Sequence, residues 1–471
     1  MNSSNKFRRF LAMAECNQAY SAHLAYRKRS NKFRRYAGLL HGCRVTAVTL
    51  GCKLNFAESA TIVEQLCKLG AQRAGRGQAA DICVVNTCAV TQTAESKCRQ
   101  AIHRTIRNNP GAIVAVTGCY ADLAPDAIKA IEGVTLVVGS KHRGELVGEI
   151  IKKAVTPSQL TPTPSQESIF FPSCSRGDRT RYFLKVQDGC NNYCTYCTIP
   201  IARGRSRNGS IDSIVEQARQ VADSGGREIV ITGVNIGDFG RSTHERFIDL
   251  IRQLDTVDGI ERYRISSIEP DLLTDEIIDF CAGSRAFMPH FHIPLQSGSD
   301  EVLRLMHRHY DTQLFRSRIE RIKSVMPHAF IGVDVMAGSR GETPECFESA
   351  YHFIESLDIT QLHVFTYSER PGTKALEIPY VVSAAERHAR TQRLINLSHQ
   401  RLQQFYTDHI GSEATVLVEQ SLRHRPVVGF TENYIRVELP QQATTMAGQT
   451  VKVRLGKYNE THDALCSDLL L

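Results

Sequence analysis

No stretch of this chain approaches 18 consecutive apolar residues, so a membrane-spanning helix is not expected. No secretory signal accompanies its 15 cysteines, an odd number scattered over 471 residues. That favours a reducing compartment and metal or catalytic use of cysteine over a disulfide framework. The chain also lacks a basic excess outside its first residues. Residues 1–43 hold nine Lys/Arg and one acid, Glu15; the rest balances at 48 of each sign, so the net +8 belongs to the tail. Bulk charge therefore makes no case for nucleic acid. Within the tail, Ser4-Asn5-Lys6-Phe7-Arg8-Arg9 returns as Ser30-Asn31-Lys32-Phe33-Arg34-Arg35. Transit peptides and nucleic-acid-binding arms share this basic character. The reading adopted is a disordered extension or a misassigned start, although no Met occurs between Met13 and Met288.

What is present is an ordinary soluble composition and enough chain for two to four domains. Strand-like runs at Val45–Leu50, Ile82–Asn86, Ile113–Thr117 and Thr135–Val138 alternate with helical patterns such as Glu58–Leu69 and Ala94–Arg107. This predicts a doubly wound, mostly parallel sheet over 44–155. Residues 156–177, rich in Thr, Pro, Ser and Gln, are expected to be a linker. Six further strand candidates lie in 178–407: Tyr182–Val186, Glu228–Ile231, Tyr263–Ser266, Phe291–Leu295, Phe330–Val335 and Leu362–Thr366. With intervening helices they predict a partial (β/α)6 barrel whose active groups lie beyond the strands' C-terminal ends. After the helical run Ala384–Thr407, the segments Ala414–Val418, Tyr434–Val437 and Thr450–Leu455 predict a small β-barrel over 408–471. The fold class is α/β.

Cys190, Cys194 and Cys197 follow the first of the six strands at the spacing C-x3-C-x2-C. Three thiolates on a four-iron cluster leave one iron open to bind a small molecule, as catalytic zinc sites keep an open position. No cysteine lies in the next dozen residues. The alternative is a closed zinc or cluster site completed by Cys174. The triplet resembles the signature of radical S-adenosylmethionine (SAM) enzymes.

A second set shares one placement. Cys52, Cys88 and Cys119 each end a strand of the N-terminal sheet, beside Gly, Asn or Thr. The C-terminal ends of parallel strands form one edge, where ligands bind, and neighbouring strands lie about 4.8 Å apart. Three such thiols can converge on a second cluster. Cys67 and Cys83 fall inside apolar patterns and suit the core instead. Cys16, Cys43, Cys98, Cys281, Cys346 and Cys466 receive no role.

Across 44–471 the chain resembles the radical-SAM methylthiotransferases. The motifs are GCKLNFAES, VNTCAVT and TGCYA, then DGCNNYCTYC, IPIARGRSR, EIVITGVNIGDFG, HIPLQSGSD and YSERPGTKA. GCKLN, IPIARGRSR and TGVNIG are most like the branch acting on threonylcarbamoyladenosine in tRNA. The family's common FPGE appears here as Ser339-Arg340-Gly341-Glu342.

The resemblance implies that Cys190, Cys194 and Cys197 hold the SAM-binding 4Fe-4S cluster. Its open iron would bind SAM, whose cleavage gives a 5′-deoxyadenosyl radical that removes hydrogen from carbon 2 of the modified adenine. Cys52, Cys88 and Cys119 would hold an auxiliary 4Fe-4S cluster supplying sulfur, and a second SAM the methyl group. Gly233, Asn235, Gln296 and Ser297 are candidate SAM contacts, with ordinary turn chemistry as the alternative. Arg203, Arg205 and Arg207 are candidates for phosphate or the SAM carboxylate, or are simply solvated. His290 and His292 are read as packing or hydrogen-bonded residues. The last module is similar to the RNA-binding TRAM domain, although 409–471 has six Lys/Arg and seven Asp/Glu. A local patch of Arg423, Arg425, Arg436, Lys452 and Arg454 is expected to contact tRNA. Also expected are a flavodoxin- or ferredoxin-like electron donor, no membrane partner, a monomer and a cytoplasmic location. A cluster protein that only shuttles electrons, and methylthiotransferases of isopentenyladenosine tRNA or of a ribosomal protein side chain, remain as alternatives.

Overall fold

The structure is a computed structural model that describes residues 38–75, 77–155, 170–175, 180–420 and 425–470. Its first sheet has the order β2-β1-β3-β4-β5, all parallel. The strands are β1 (Arg44–Thr49), β2 (Gln72–Arg73), β3 (Ile82–Thr87), β4 (Ile113–Gly118) and β5 (Leu136–Val138). Helix α1 (Lys53–Lys68) starts five residues before the apolar periodicity suggests. Near its start polar Asn55 and Glu58 are buried alongside Leu54 and Ala57, so burial does not follow one apolar stripe and local amphipathicity hides the true start. Helix α2 (Gln92–Asn108) is capped by Thr91, whose side chain accepts the Ala94 N–H at 3.1 Å.

The tail and linker boundaries differ from expectation. Leu40 is fully buried and its N–H donates to the Leu69 carbonyl at 2.9 Å, so residues 38–43 belong to the fold. The repeat and the rest of the basic extension, 1–37, lie outside the described residues, as do 156–169 and 176–179 of the linker. The linker's Ser173–Cys174 forms the edge strand β6, antiparallel to β7 (Arg181–Lys185) and bonded to Thr61 of α1.

Six parallel strands curve into an open barrel: β7, β10 (Glu228–Thr232), β11 (Arg262–Ile265), β12 (His290–Gln296), β13 (Phe330–Ala337) and β14 (Gln361–Thr366). Bridges at Tyr263–Phe287 and Ser267–His292 join the two halves. The short strands β8 (Gln187–Asp188) and β9 (Arg207–Asn208) brace the loop after β7. The outward faces carry Leu184, Ile229, Ile231, Tyr263, Ile265, Phe291 and Ile331, buried beneath helices. The parallel register aligns Arg181, Glu228 and Arg262, then Phe183, Val230 and Arg264, on the opposite, lumenal face. Ala57 and Phe56 of α1 pack on Phe183 and Val230, so the N-terminal module covers the open side of the barrel.

The long helix Ala384–Thr407 leads to a closed barrel of order β15-β16-β17-β19-β18. Its strands are β15 (Glu413–Val418), β16 (Val427–Thr431), β17 (Arg436–Leu439), β18 (Thr450–Asn459) and β19 (Ala464–Leu469). Two strands more than expected close it, β16 and β19. It caps the N-terminal end of the larger barrel: Arg262 donates to the carbonyls of Phe430 and Thr415, at 2.9 and 2.8 Å. Among the described residues no helix is long and apolar enough to cross a membrane.

Candidate active site

The loops after β1, β3 and β4 bring Cys52, Cys88 and Cys119 to one edge. Gly51 and Gly118, each preceding a cysteine, have φ of +98° and +99°. A Cβ at Gly51 would lie 2.7 Å from Cys88 Cβ, and one at Gly118 would lie 2.3 Å from the Thr87 carbonyl oxygen. Glycine is what lets the three loops approach so closely. Asn55 fastens them: its amide donates to the Leu50 and Thr87 carbonyls, at 2.7 and 3.1 Å. Cys98, given no role from sequence, buttresses Cys88. Its Sγ accepts the Cys88 N–H and donates to the Cys88 carbonyl, both at 3.3 Å.

Cys190, Cys194 and Cys197 lie in the loop beyond β8, at the C-terminal mouth of the open barrel. Their sulfurs accept from Asn192 N–H (3.4 Å), Arg308 Nη1 (3.1 Å) and Ile199 N–H (3.4 Å), respectively. N–H donors aimed at all three sulfurs suit the anionic sulfur of cluster thiolates. Burial raises Cys88 and Cys197 to about 12 and Cys190 to about 11, so loading a metal must displace protons. Among the described residues no three His, Cys, Asp or Glu side chains close on a single ion. Cys174 belongs to β6, paired with Leu184 ahead of the cluster loop, and its Sγ donates to the Ser175 carbonyl at 3.5 Å.

A buried charge network joins the two cysteine sets. Glu58 of α1 pairs with Lys185 (2.8 Å), Arg203 (3.1 Å) and Arg143, while Asp188 pairs with Lys185 (2.6 Å), Arg203 (2.9 Å) and Arg207 (3.1 Å). Burial alone would raise Glu58, but Arg143, Arg203 and Lys185 hold it down at about 2. Arg203, in the short helix Ile199–Arg203, also donates from Nε to Cys119 Sγ at 3.3 Å. Of the three arginines read as solvated or ligand-binding, Arg203 is thus buried structure, Arg207 half-buried and Arg205 exposed. Spacing could not reveal this, because the partners come from separate segments.

The SAM candidates sit past β10 and β12. Gln187 organises the first pair: its Oε1 accepts the N–H groups of Val234 and Asn235, both at 2.9 Å, and its amide donates to the Gly189 carbonyl at 2.7 Å. The loop with Gly233 and Asn235 is thereby tied to the cysteine loop. Asn235 is buried, and neither of its amide atoms has a hydrogen-bond partner among the described residues. Gln296 adopts φ +68° at a register shift in β12, and Ser297 Oγ accepts the Ser299 N–H at 3.2 Å. A second pair was missed: Arg308 bridges Cys194 and Glu269, whose carboxyl burial raises to about 7 against the pull of Arg308.

The histidines match the reading as packing or hydrogen-bonded residues. His292 bonds Asp334 at 2.7 Å, and His290 stacks near Phe330 and Tyr434. The departure at 339–342 is internally satisfied: Arg340 pairs with Glu369, and Glu342 with Arg390, at 2.9 and 2.8 Å. The expected basic patch on the C-terminal barrel is not net basic. Strand register puts Arg436, Lys452 and Arg454 on a face shared with Glu438, Asp468 and Glu413, and Arg454 pairs with Glu413 at 3.0 Å. Arg423 lies outside the described residues. A different surface carries a cationic excess: α2 exposes Lys97, Arg99, Arg104 and Arg107, while its one acid, Glu95, pairs with Arg370.

An open six-stranded parallel barrel with three cysteines in the loop beyond its first strand is the architecture of a radical-SAM enzyme. Residues 184–354 match the Radical SAM superfamily model, and 44–139 match that described as uncharacterized protein family UPF0004. The threonylcarbamoyladenosine tRNA methylthiotransferase MtaB of Bacillus subtilis is 38% identical, over 88% of this chain and 94% of that protein. A tRNA-2-methylthio-N(6)-dimethylallyladenosine synthase of Pelotomaculum thermopropionicum is 30% identical, over 79% and 86%. In solved structures, the radical SAM methyltransferase TsrM of Kitasatospora setae shares the fold at TM-score 0.53 and 14% identity, over 70% of this chain and 76% of that one. The chain belongs to the radical-SAM methylthiotransferase family, whose cofactors are SAM and 4Fe-4S clusters.

Proposed function

We propose that this enzyme methylthiolates carbon 2 of N6-threonylcarbamoyladenosine next to the tRNA anticodon, in the cytoplasm. The observation that carries the reading is two three-cysteine sets bound into one unit by Arg203, Glu58 and Asp188 at the covered side of a barrel. Cys190, Cys194 and Cys197 would hold the SAM cluster, and Cys52, Cys88 and Cys119 the auxiliary one. When bound, these groups and two SAM molecules supply hydrogen abstraction, sulfur and methyl transfer.

The chain's own side chains do the positioning. Gly233, Asn235, Gln296 and Ser297 line the mouth where SAM would lie, and the orphaned Asn235 amide offers it both a donor and an acceptor. Gln187 couples that loop to the cysteines. The network of Glu58, Asp188, Lys185, Arg143 and Arg203 has more cations than anions, and the surplus faces Cys119, where anionic thiolates would gather. The N-terminal module packs over the open side of the barrel, which would limit water at the reacting atoms. The functional units are taken as the N-terminal sheet module, the open barrel and the C-terminal barrel, acting as a monomer with a flavodoxin- or ferredoxin-like reductant.

Similarity favours threonylcarbamoyladenosine, at 38% against 30% for the dimethylallyl relative. Mass spectrometry of tRNA nucleosides from a strain lacking the gene tests it. Loss of the methylthio form of threonylcarbamoyladenosine is expected. Loss of only the isopentenyl counterpart, or an altered ribosomal protein with intact tRNA, would overturn it.

A further inference from the structure

The lumen beside Cys52 contains a cavity of about 340 Å³, whose wall includes Lys53, Arg181, Arg264, His290 and Tyr434. Two of its three cations are committed to structure. Arg181 donates to Tyr434 Oη and pairs with Glu419, both at 2.8 Å. Arg264 pairs with Glu228 at 2.9 Å and donates to the Thr431 and Glu432 carbonyls, both at 2.8 Å. Lys53 is different: among the described residues it has no hydrogen-bond or ion-pair partner. His290 is only 9% exposed, and its Nδ1 also lacks a partner. Two polar groups without protein partners thus face one cavity, next to a cysteine of the candidate auxiliary set.

We propose that Lys53 binds the carboxylate of the N6-threonylcarbamoyl group and that His290 Nδ1 meets its hydroxyl, making Lys53 the residue that selects the substrate. This rests on the substrate proposed above. A half-buried ammonium that feels the Asp334 carboxylate but has no hydrogen-bond or ion-pair contact favours an anion beside it, and a carboxylate accepts its charge-assisted hydrogen bonds. In adenine, C2 and C6 flank the same ring nitrogen. A base with C2 toward Cys52 therefore carries its N6 substituent on the adjoining side, where the next residue in the chain is Lys53. An isopentenyl group offers no acceptor and would leave Lys53 unpaired, which is how a polar site rejects an apolar analogue.

The test uses the reconstituted full-length protein and fluorescence anisotropy with anticodon stem-loop RNAs. They carry threonylcarbamoyladenosine, its methyl ester, isopentenyladenosine or plain adenosine. Wild type is expected to bind the free acid tighter than the ester by a factor of roughly ten or more. Lys53→Gln should abolish that difference, and Lys53→Arg should keep most of it. An acid-to-ester ratio near one in wild type overturns the assignment without needing any variant to fold. So does a ratio unchanged in Lys53→Gln, or a Lys53→Gln effect confined to SAM binding, which would give Lys53 to the SAM carboxylate. If wild type fails to methylthiolate the threonylcarbamoyl RNA at all, the proposed function itself falls.

Discussion

Arg203 Nε donates to Cys119 Sγ across 84 residues of sequence, at 3.3 Å. The arginine belongs to the radical-SAM barrel and the cysteine to the N-terminal sheet, so one guanidinium spans the two modules. Its Nη atoms meanwhile reach Glu58, Asp188 and Asn55, which makes it the centre of the interface.

Hydrogen bonds to ligand sulfur raise a cluster's reduction potential. Replacing Arg203 by Lys, which removes the Nε donor, should move the auxiliary cluster to a more negative potential and leave the SAM cluster in place. Redox titration followed by electron paramagnetic resonance checks this, with melting temperature as the control for folding.

Iron content separates the two cysteine sets. Anaerobically reconstituted wild type should carry about eight irons, and Cys88→Ala or Cys119→Ala about four. Cys174→Ala should stay near eight, because its strand lies ahead of the cluster loop. Cys98→Ala should also keep both clusters but load the second more slowly, since it frees the Cys88 loop.

Glu58 balances three buried cations at the interface. Glu58→Gln leaves Arg143 without a carboxylate partner, while Asp188 still pairs with Lys185 and Arg203, and should cost about 3–5 kcal/mol of stability, measured by denaturant unfolding.

His363 is lowered to about 4 by burial and by His292, so it folds neutral while the unfolded chain binds a proton below 6.5. Between those values the unfolded state holds more protons, and the stability present above pH 6.5 is lost as pH falls toward 4. The melting temperature of wild type should drop over this window, and the drop should be smaller in His363→Asn.

The cationic face of α2 starts close behind Cys88, while the C-terminal barrel's charges are balanced. Reversing Lys97 and Arg104 should weaken tRNA binding and flatten its salt dependence by roughly one to two counterions. Reversing Lys452 and Arg454 should do less. Equal effects would return the RNA contact to the C-terminal barrel.

The cysteine chemistry was legible in sequence because it is local. One loop carries Cys190, Cys194 and Cys197 at fixed spacing, and the other three cysteines each follow a strand whose apolar run is visible by eye. The α/β order followed for the same reason, since β3, β4 and the barrel strands bury continuous apolar faces. The start of α1 was not legible. There Asn55 and Glu58 are polar yet buried beside Leu54 and Ala57, so no local periodicity marks it. Strands β16 and β19 escaped for a related reason: short antiparallel strands are defined by their neighbours' register.

Sequence alone determined which residues are thiols, where each lies along its strand, and hence the class of chemistry. Only the tertiary structure decided that Glu58, Arg143, Lys185, Asp188 and Arg203 share one buried site, and that Lys53 faces the lumen with no ion-pair contact among the described residues. The physical reason is distance along the chain. Spacing rules reach a few residues, whereas ion pairing and desolvation act through space between segments that meet only after folding.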